Sequence, residues 1–416
     1  MKILVISDIH AYNKHHPTLG SSTPSFVIAG DNAPHSPQSQ LIDLIKAEDI
    51  QVDYVVCPGD LGDKADISGI EFSWNFLKSV TENCHARALI ATTGNHDLDS
   101  RFFSGKYDPR EFLQNYSHDF PVYIRCLQEK ANPESMTLHY WALNFCLFSL
   151  DDIRFVILNS SAYHGYNAKD SVPELEHGRI SAPTIDLIKK YIDRDNKERE
   201  KNGKNKYPIN IFICHHHLKP DNSVGYIDKS EIIGASTLLD LLSDTDNGRW
   251  FAIHGHRHRS RLYQSEKSTG PWVLSAASFG KTTDGDDTNI CPNQIHIVEF
   301  DQSPKNQMAQ RVQGTVATWN WYPNLDGWQQ QARPPSGLPP QSGFGWRGSI
   351  DDLARKIDNS LKGDYARWEQ ILPLAPELRY VTYSDMIELK KTLANHYNIN
   401  SQEGLKGNII ELGRKS

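Results

Sequence analysis

The sequence predicts an α/β protein, with two β-sheets flanked by helices and a C-terminal extension of different character. Three observations predict it. Short apolar runs, KILVI at 2–6, VDYVV at 52–56 and RALIAT at 87–92, lack the alternation of a strand with one wet face. They read as strands covered on both sides. Segments of helical period lie between them, which predicts parallel pairing through right-handed crossovers. Finally, Asp, His and Asn side chains follow directly on these runs, where an α/β sheet gathers its functional groups.

The elements follow in order. After the first strand comes a loop rich in Gly, Ser, Pro and His, from Ala11 to His35. It is too long for a plain connector and is expected to line a site or to move. Ser36 and Pro37 read as an N-cap and a first helical position, ahead of LIDLIKAED. Residues 67–83 fit a helix, with Ile70, Trp74 and Leu77 on one face. A helix is expected near 109–117, and the aromatic stretch HYWALNFCLFSL at 139–150 has no clear assignment. DIRFVILNS is a strand, and HGRISAPTIDLIKKYIDRDNKERE a helix with a solvated, charged end. INIFIC at 209–214 and RWFAI at 249–253 are strands, with a helix over Ser236 to Leu242 between them. PWVLSAAS and QIHIVEF read as completing a second sheet.

From about residue 303 the character changes. Trp319, Trp321, Trp328, Trp346 and Trp368 make up five of the nine tryptophans. RPPSGLPPQSGFGWRG reads as a linker or extended wrap, and helices are expected near 349–362 and 384–397. The expected division is a catalytic domain over 1–302 and an extension over 303–416 that caps the site, builds an oligomer or binds a protein partner. Its tryptophans read as packing rather than nucleotide stacking.

A length of 416 residues, 38% of them hydrophobic, suits a large soluble catalytic domain plus an accessory region. No run approaches the roughly 18 apolar residues of a membrane span. MKILVISDIH turns acidic too soon for a signal peptide, so a cytoplasmic location is expected. The net charge of -7 argues against an extended basic surface for tight non-specific DNA binding. The six cysteines show no C-x-x-C pairing, which argues against a zinc finger or a disulfide framework.

Five blocks carry the chemistry: SDIH with Asp8 and His10, PGD with Asp60, TGNHD with Asn95, ICHHH with His215, and HGHRH with His256 and His258. Each follows an apolar run. Asp8 and His10 are two apart, so at a strand end both would point the same way. The carboxylate of Asp60 has two oxygens and can bridge two ions. Asn95 offers a neutral oxygen, and the three later histidines offer imidazole nitrogens. Oxygen and imidazole ligands without thiolate suit Mn²⁺, Fe or Zn²⁺, and affinity alone does not choose among them; Mn²⁺ is the expected occupant. Two divalent metal ions in one cleft point to hydrolysis of a phosphate ester. His215 comes first after its strand, and His216 is the alternative ligand. His164 and His177 stand open between loop packing and substrate contact.

These blocks resemble the calcineurin-like metallophosphoesterase superfamily, whose pattern is D-x-H, G-D, G-N-H-[DE], a lone His after a strand, and G-H-x-H. All five occur here in order over residues 8–258. The resemblance implies a four-layer αββα sandwich of two mixed sheets. It implies one metal on Asp8, His10, Asp60 and His258, and a second on Asp60, Asn95, His215 and His256. It makes His96 the acid for the leaving oxygen, with Asp97 orienting it, and a metal-bridging hydroxide the nucleophile. GNHD, and GDLGDKAD in place of G-D-x-V-D-R-G, resemble the phosphodiesterase side rather than the phosphoprotein phosphatases. The expected substrate is therefore a phosphodiester, either a nucleotide, a nucleic-acid end or a small diester. The alternatives are a nuclease working with an ATPase partner and a catalytically silent binding module.

Overall fold

Two sheets pack face to face in the computed structural model, and each carries helices on its outer side. The structure describes residues 1–15, 23–31, 33–100, 109–116, 119–125, 132–150, 152–165, 177–205, 207–220, 230–266, 269–282, 292–303, 312–323, 327–330, 337–361 and 363–414. The first sheet has parallel strands β1 (Lys2–Val5), β2 (Tyr54–Cys57) and β3 (Ala88–Ala91), with β4 (Val122–Ile124) antiparallel at one edge. The second sheet runs β5 (Phe145–Leu150), β6 (Ile153–Leu158), β7 (Ile209–Ile213) and β8 (Trp250–His254), and ends with β10 (Trp272–Ser275) and β9 (Arg261–Gln264). It too is mixed: β6, β7, β8 and β10 are parallel, while β5 and β9 are antiparallel edges.

Strand alternation sorts the second sheet's side chains between two cores. Phe155, Ile157, Ile211, Ile213, Phe251 and Ile253 face the first sheet. Val156, Leu158, Phe212, Trp250 and Ala252 face outward, under the helices α5 (Ala182–Lys201) and α6 (Ala235–Ser243). On the far side of the first sheet lie α1 (Pro37–Ala47) and α2 (Ile67–Asn83). α1 begins as expected, with Ser36 capping it and Pro37 at its first turn. Asp66 caps α2, its carboxylate accepting from the N–H groups of Ser68 and Gly69. α3 (Pro109–Tyr116) precedes β4 in the chain, and α4 (Pro133–Leu143) packs on the edge strands β4 and β5 of the two sheets. The aromatic stretch that resisted assignment is the end of α4, a left-handed Asn144, and β5. No described helix is long and apolar enough to cross a membrane.

Two expectations need correcting. QIHIVEF lies in β11 (Asn293–Phe300), which joins the first sheet, antiparallel to β1, with Lys2 opposite Glu299. Its apolar pattern marks a strand but not its neighbour. The change of composition at 303 is also not the edge of the first unit. β12 (Gly314–Trp321) and β13 (Gln341–Phe344) extend the first sheet beyond β11. Trp319, Trp321, Trp328 and Phe344 are buried in the first sheet's core. Trp321 donates to Gln40 Oε1 at 2.6 Å and Trp328 to the Pro37 carbonyl at 2.9 Å, which ties the segment to α1.

A separate small core follows. It is built by α7 (Ile350–Ser360), α8 (Trp368–Ile371) and α9 (Tyr383–His396) on a three-stranded sheet of β14 (Tyr365–Arg367), β16 (Ile409–Arg414) and β15 (Ile399–Glu403). The extension thus holds a small sheet as well as its expected helices.

A chain ending at Ser303 should lose its cooperative thermal transition, because it strips four large aromatic side chains from the first core. Each such loss costs about 3–5 kcal/mol, against a whole-domain stability of roughly 5–15 kcal/mol. A chain ending at Gly348 keeps β12 and β13 and should retain the transition. Calorimetry of the two truncated chains separates the outcomes.

Candidate metal centre

The five blocks converge at one end of the two sheets. Asp8 and His10 come from the segment after β1, Asp60 from that after β2 and Asn95 from that after β3. His215 follows β7, and His256 and His258 follow β8. The strand alternation expected for Asp8 and His10 does not apply, because β1 ends at Val5. Both adopt left-handed backbone, as do Asp60, His256 and His258, with φ of 53°, 50°, 54°, 82° and 56° in that order. Left-handed non-glycine residues cost about 1–3 kcal/mol each and persist only where surroundings hold them. Here Asp8 N donates to the Gly59 carbonyl at 3.1 Å and His10 N to the Asp60 carbonyl at 3.0 Å, which lays the first block along the second. His256 N donates to Asp8 Oδ1 at 3.0 Å and so joins the second sheet's loop to the first sheet's.

One group consists of Asp8, His10, Asp60 and His258, their ligand atoms within 4.8 Å of one another. His10 Nε2 lies 3.0 Å from His258 Nε2 and 3.5 Å from Asp60 Oδ2, and His258 Nε2 lies 3.3 Å from Asp8 Oδ1. A second group meets around Asn95 Oδ1, which is 3.1 Å from His215 Nε2 and 3.0 Å from His256 Nδ1. His215 Nε2 is also 3.3 Å from Asp60 Oδ2. The same Asp60 oxygen therefore faces a histidine of each group. His215 donates from Nδ1 to the Pro58 carbonyl at 2.8 Å, which leaves Nε2 directed at the cluster. His216 holds Ser160 Oγ at 2.9 Å through Nδ1 and stands beside the second group, within ligand reach of His215 and His256.

The donor set fits two divalent cations. Lone-pair atoms brought within 3.0–3.5 Å of one another repel unless a proton or a cation lies between them. Ligands at about 2.1 Å from a shared ion, at tetrahedral to octahedral angles, are separated by roughly 3.0–3.4 Å. His256 Nε2 is buried without a hydrogen-bond partner, and His256 Nδ1 sits 3.2 Å from His215 Nε2. Asp8 and Asp60 are essentially inaccessible. Burial pushes the Asp60 carboxyl up, but His215, His96 and His10 outweigh it and hold it well below the usual carboxylate range. Burial lowers His215, but Asp60 overrides it and raises the imidazole to about 9. Burial, with Lys281 nearby, lowers His258 to about 4 despite Asp8.

The expectation for Asp97 is corrected. Its Oδ1 accepts from Gly62 N at 2.9 Å and its Oδ2 from Gly94 N at 2.8 Å. It clamps the turn after β2 to the turn after β3 and does not orient His96. Burial raises its carboxyl to about 7, with Asp60 adding to the shift. Asp63 orients His96 instead, with Oδ1 2.9 Å from His96 Nδ1 and 3.4 Å from His10 Nδ1. Sequence reasoning missed Asp63, although its position three residues after Asp60 was a signal. Burial raises Asp63, but the hydrogen bonds from His10 and His96 hold it well below its ordinary value. His164 resolves as packing: it is buried, 2.9 Å from Ser100 Oγ, donates to the His177 carbonyl and stacks on His216.

A family model described as calcineurin-like phosphoesterase matches residues 1–277, and one described as wHTH-Calcineurin_assc matches 342–395. No curated protein matches. Among solved structures, the chain is similar to a dimetal phosphatase from Danio rerio, at 12% identity and a TM-score of 0.47. That alignment covers 76% of this chain and 94% of the other. It is also similar to the purple acid phosphatase PPD1 from yellow lupin, Lupinus luteus, at 15% identity and a TM-score of 0.42. It covers 77% of this chain but only 51% of that one.

Glycine is required where the turns cross. A Cβ on Gly94 would fall 2.1 Å from Asp60 Oδ1. Gly94→Ala should therefore push Asp60 off its shared position and weaken metal binding by about 10–100-fold, as support mutations around metal sites do. Metal content after dialysis, measured beside an unchanged far-ultraviolet spectrum, checks this.

Proposed function

The chain belongs to the calcineurin-like phosphoesterase family, and we propose that it is a phosphodiesterase for a nucleotide, a nucleic-acid end or another small diester. The observation that carries a two-metal reading is Asp60 Oδ2, 3.5 Å from His10 Nε2 and 3.3 Å from His215 Nε2. Asp8, His10, Asp60 and His258 would hold one ion, and Asp60, Asn95, His215 and His256 the other. Bound there, divalent metals supply Lewis acidity to phosphoryl oxygens and lower the pKa of water to about 7. Three oxygen-bearing side chains and four imidazoles suit Mn²⁺, Fe or Zn²⁺, and of these Mn²⁺ is the ion we take first.

The chain's own contribution is a proton on the leaving side. Ionised Asp63 accepts from His96 Nδ1 and fixes the ring, leaving Nε2 to carry a proton to the departing alkoxide. Burial lowers His96 despite Asp60 and Asp63, so the anionic ester itself must help it hold that proton. The preference for diesters rests on Lys64, which stands where the phosphatase pattern G-D-x-V-D-R-G has arginine. An ammonium is a point charge, whereas a guanidinium is a fork that can hold two of the three free oxygens of a monoester dianion at once.

With Mn²⁺, kcat/KM should be higher on bis-p-nitrophenyl phosphate than on p-nitrophenyl phosphate. The reverse order would exclude the diester preference, and inactivity with Mn²⁺, Fe, Zn²⁺ and Co²⁺ alike would exclude hydrolysis. His96→Asn should lower kcat by about 10²–10⁴-fold on diesters with alkoxide leaving groups. It should cost less on nitrophenyl esters, whose leaving group departs without a proton. Equal losses on both would remove His96 from the acid role.

A further inference from the structure

A cavity of about 950 Å³ opens between the outer edge of the first sheet and the C-terminal helices, and none of the metal-centre residues lines it. One wall is β12, β13 and the segment before β13, and the other is α9, the Trp368–Leu372 stretch and the turn between β15 and β16. Pockets of roughly 300–1,000 Å³ at the junction of two units are where small molecules bind.

Its lining is chemically selective. Three aromatic rings face it, Tyr322, Trp368 and Tyr383, and Tyr383 is 45% exposed although it is large and half apolar. Arg379, Lys390 and Lys406 also line it, and among the described residues no Asp or Glu does. That is unusual in a chain of net charge -7. Lys390 reaches Glu403, and Lys406 donates to Gln330 Oε1 at 2.8 Å, while Arg379 is exposed at the rim. The sheet wall is braced from behind. Gln294 donates to Asn320 Oδ1 at 2.6 Å and accepts from Ser260 Oγ, which in turn takes the Leu338 N–H at 2.7 Å. Asn320 and Leu338 both face the cavity.

We propose that this cavity is a second binding site, for an anionic ligand with a planar aromatic ring, of the mononucleotide class. Aromatic side chains stack on a base whatever its identity, and the cationic rim takes the phosphate. The cavity is enclosed by α9 and the β15–β16 turn on one side and the sheet edge on the other, which suits a single nucleotide rather than a duplex.

The test uses the full-length Asp60→Asn chain after metal stripping, so that binding at the metal centre and hydrolysis are both suppressed. The probe is fluorescent N-methylanthraniloyl-AMP, displaced by AMP, adenosine, inorganic phosphate or a duplex DNA. Saturable binding of one probe per chain is expected, displaced best by AMP. Trp368→Leu and Arg379→Gln should each weaken it by about tenfold, the loss of one stacking or charged contact. In the otherwise natural chain, both substitutions should leave bis-p-nitrophenyl phosphate hydrolysis unchanged. Arg379 is exposed, so its variant folds even if the tryptophan variant does not. Absence of saturable binding overturns the proposal, as do equal affinities for AMP and adenosine. So does unchanged affinity in Arg379→Gln, or displacement by duplex better than by AMP. Failure here leaves the phosphodiesterase reading untouched, since that is judged by hydrolysis alone.

Discussion

Two carboxylates, Asp8 and Asp60, are buried almost completely at the point where the two sheets meet, and the architecture depends on keeping them charged there. An ionised carboxylate costs several kcal/mol to bury and is tolerated only with opposite charge and hydrogen bonds around it. Asp60 has His215 and His10 beside one oxygen and the His96 N–H on the other, at 2.8 Å. Asp8 takes the His256 N–H and a hydrogen bond from Ser7. These partners come from both sheets. The metal centre is therefore also the clasp that fixes how one sheet's loops lie on the other's.

The clasp explains the strained backbone around it. Turning Asp8, His10, Asp60, His256 and His258 into left-handed conformation brings side chains from straight strands into a ring. It also leaves no room where turns cross. A side chain on Gly59 would meet Gly94 N and His215 Nδ1, and one on Gly255 would meet Ser7 Oγ and Asp8 Oδ2. The energy stored in these turns is offset by the sheets behind them, whose strands are buried along nearly their whole length.

What the sequence reveals follows from how local each cause is. Residue type and order are local, so the seven residues that converge at the sheet ends were legible in five short blocks. Helix starts were legible too, because Ser36 with Pro37 caps its own helix. The partner of His96 was not legible. Asp97 is adjacent in sequence, yet the turn sends it inward to Gly62 and Gly94. Asp63 reaches His96 because Lys64 and Ala65 are left-handed, and Ala65 N returns to the His96 carbonyl at 2.7 Å. Sheet membership is less local still. QIHIVEF follows the second sheet in the chain but pairs with β1, nearly three hundred residues earlier, as Lys2 opposite Glu299 shows.

The tryptophans after residue 303 show the same limit and connect the extension to the catalytic end of the molecule. A cluster of aromatic residues beside a Pro/Gly-rich stretch suggests a new unit, yet Trp319, Trp321 and Trp328 fill the first core. β12, which carries two of them, supplies Asn320 to the cavity wall, and Asn320 is held through Gln294 to Ser260. Ser260 lies two residues beyond His258, on the same loop. The wall that faces the C-terminal helices and the loop that carries a metal-centre histidine are thus parts of one buried polar network. Its members have little freedom to move separately, because each buried amide or hydroxyl that lost its partner would leave another unsatisfied. A side chain that reshapes the sheet wall therefore acts on the setting of His258, whereas the exposed Arg379 side chain, at the rim, is not a member of that network. Arg379 and Trp368 are consequently the positions at which binding in the cavity can be altered while the metal centre is left as it is.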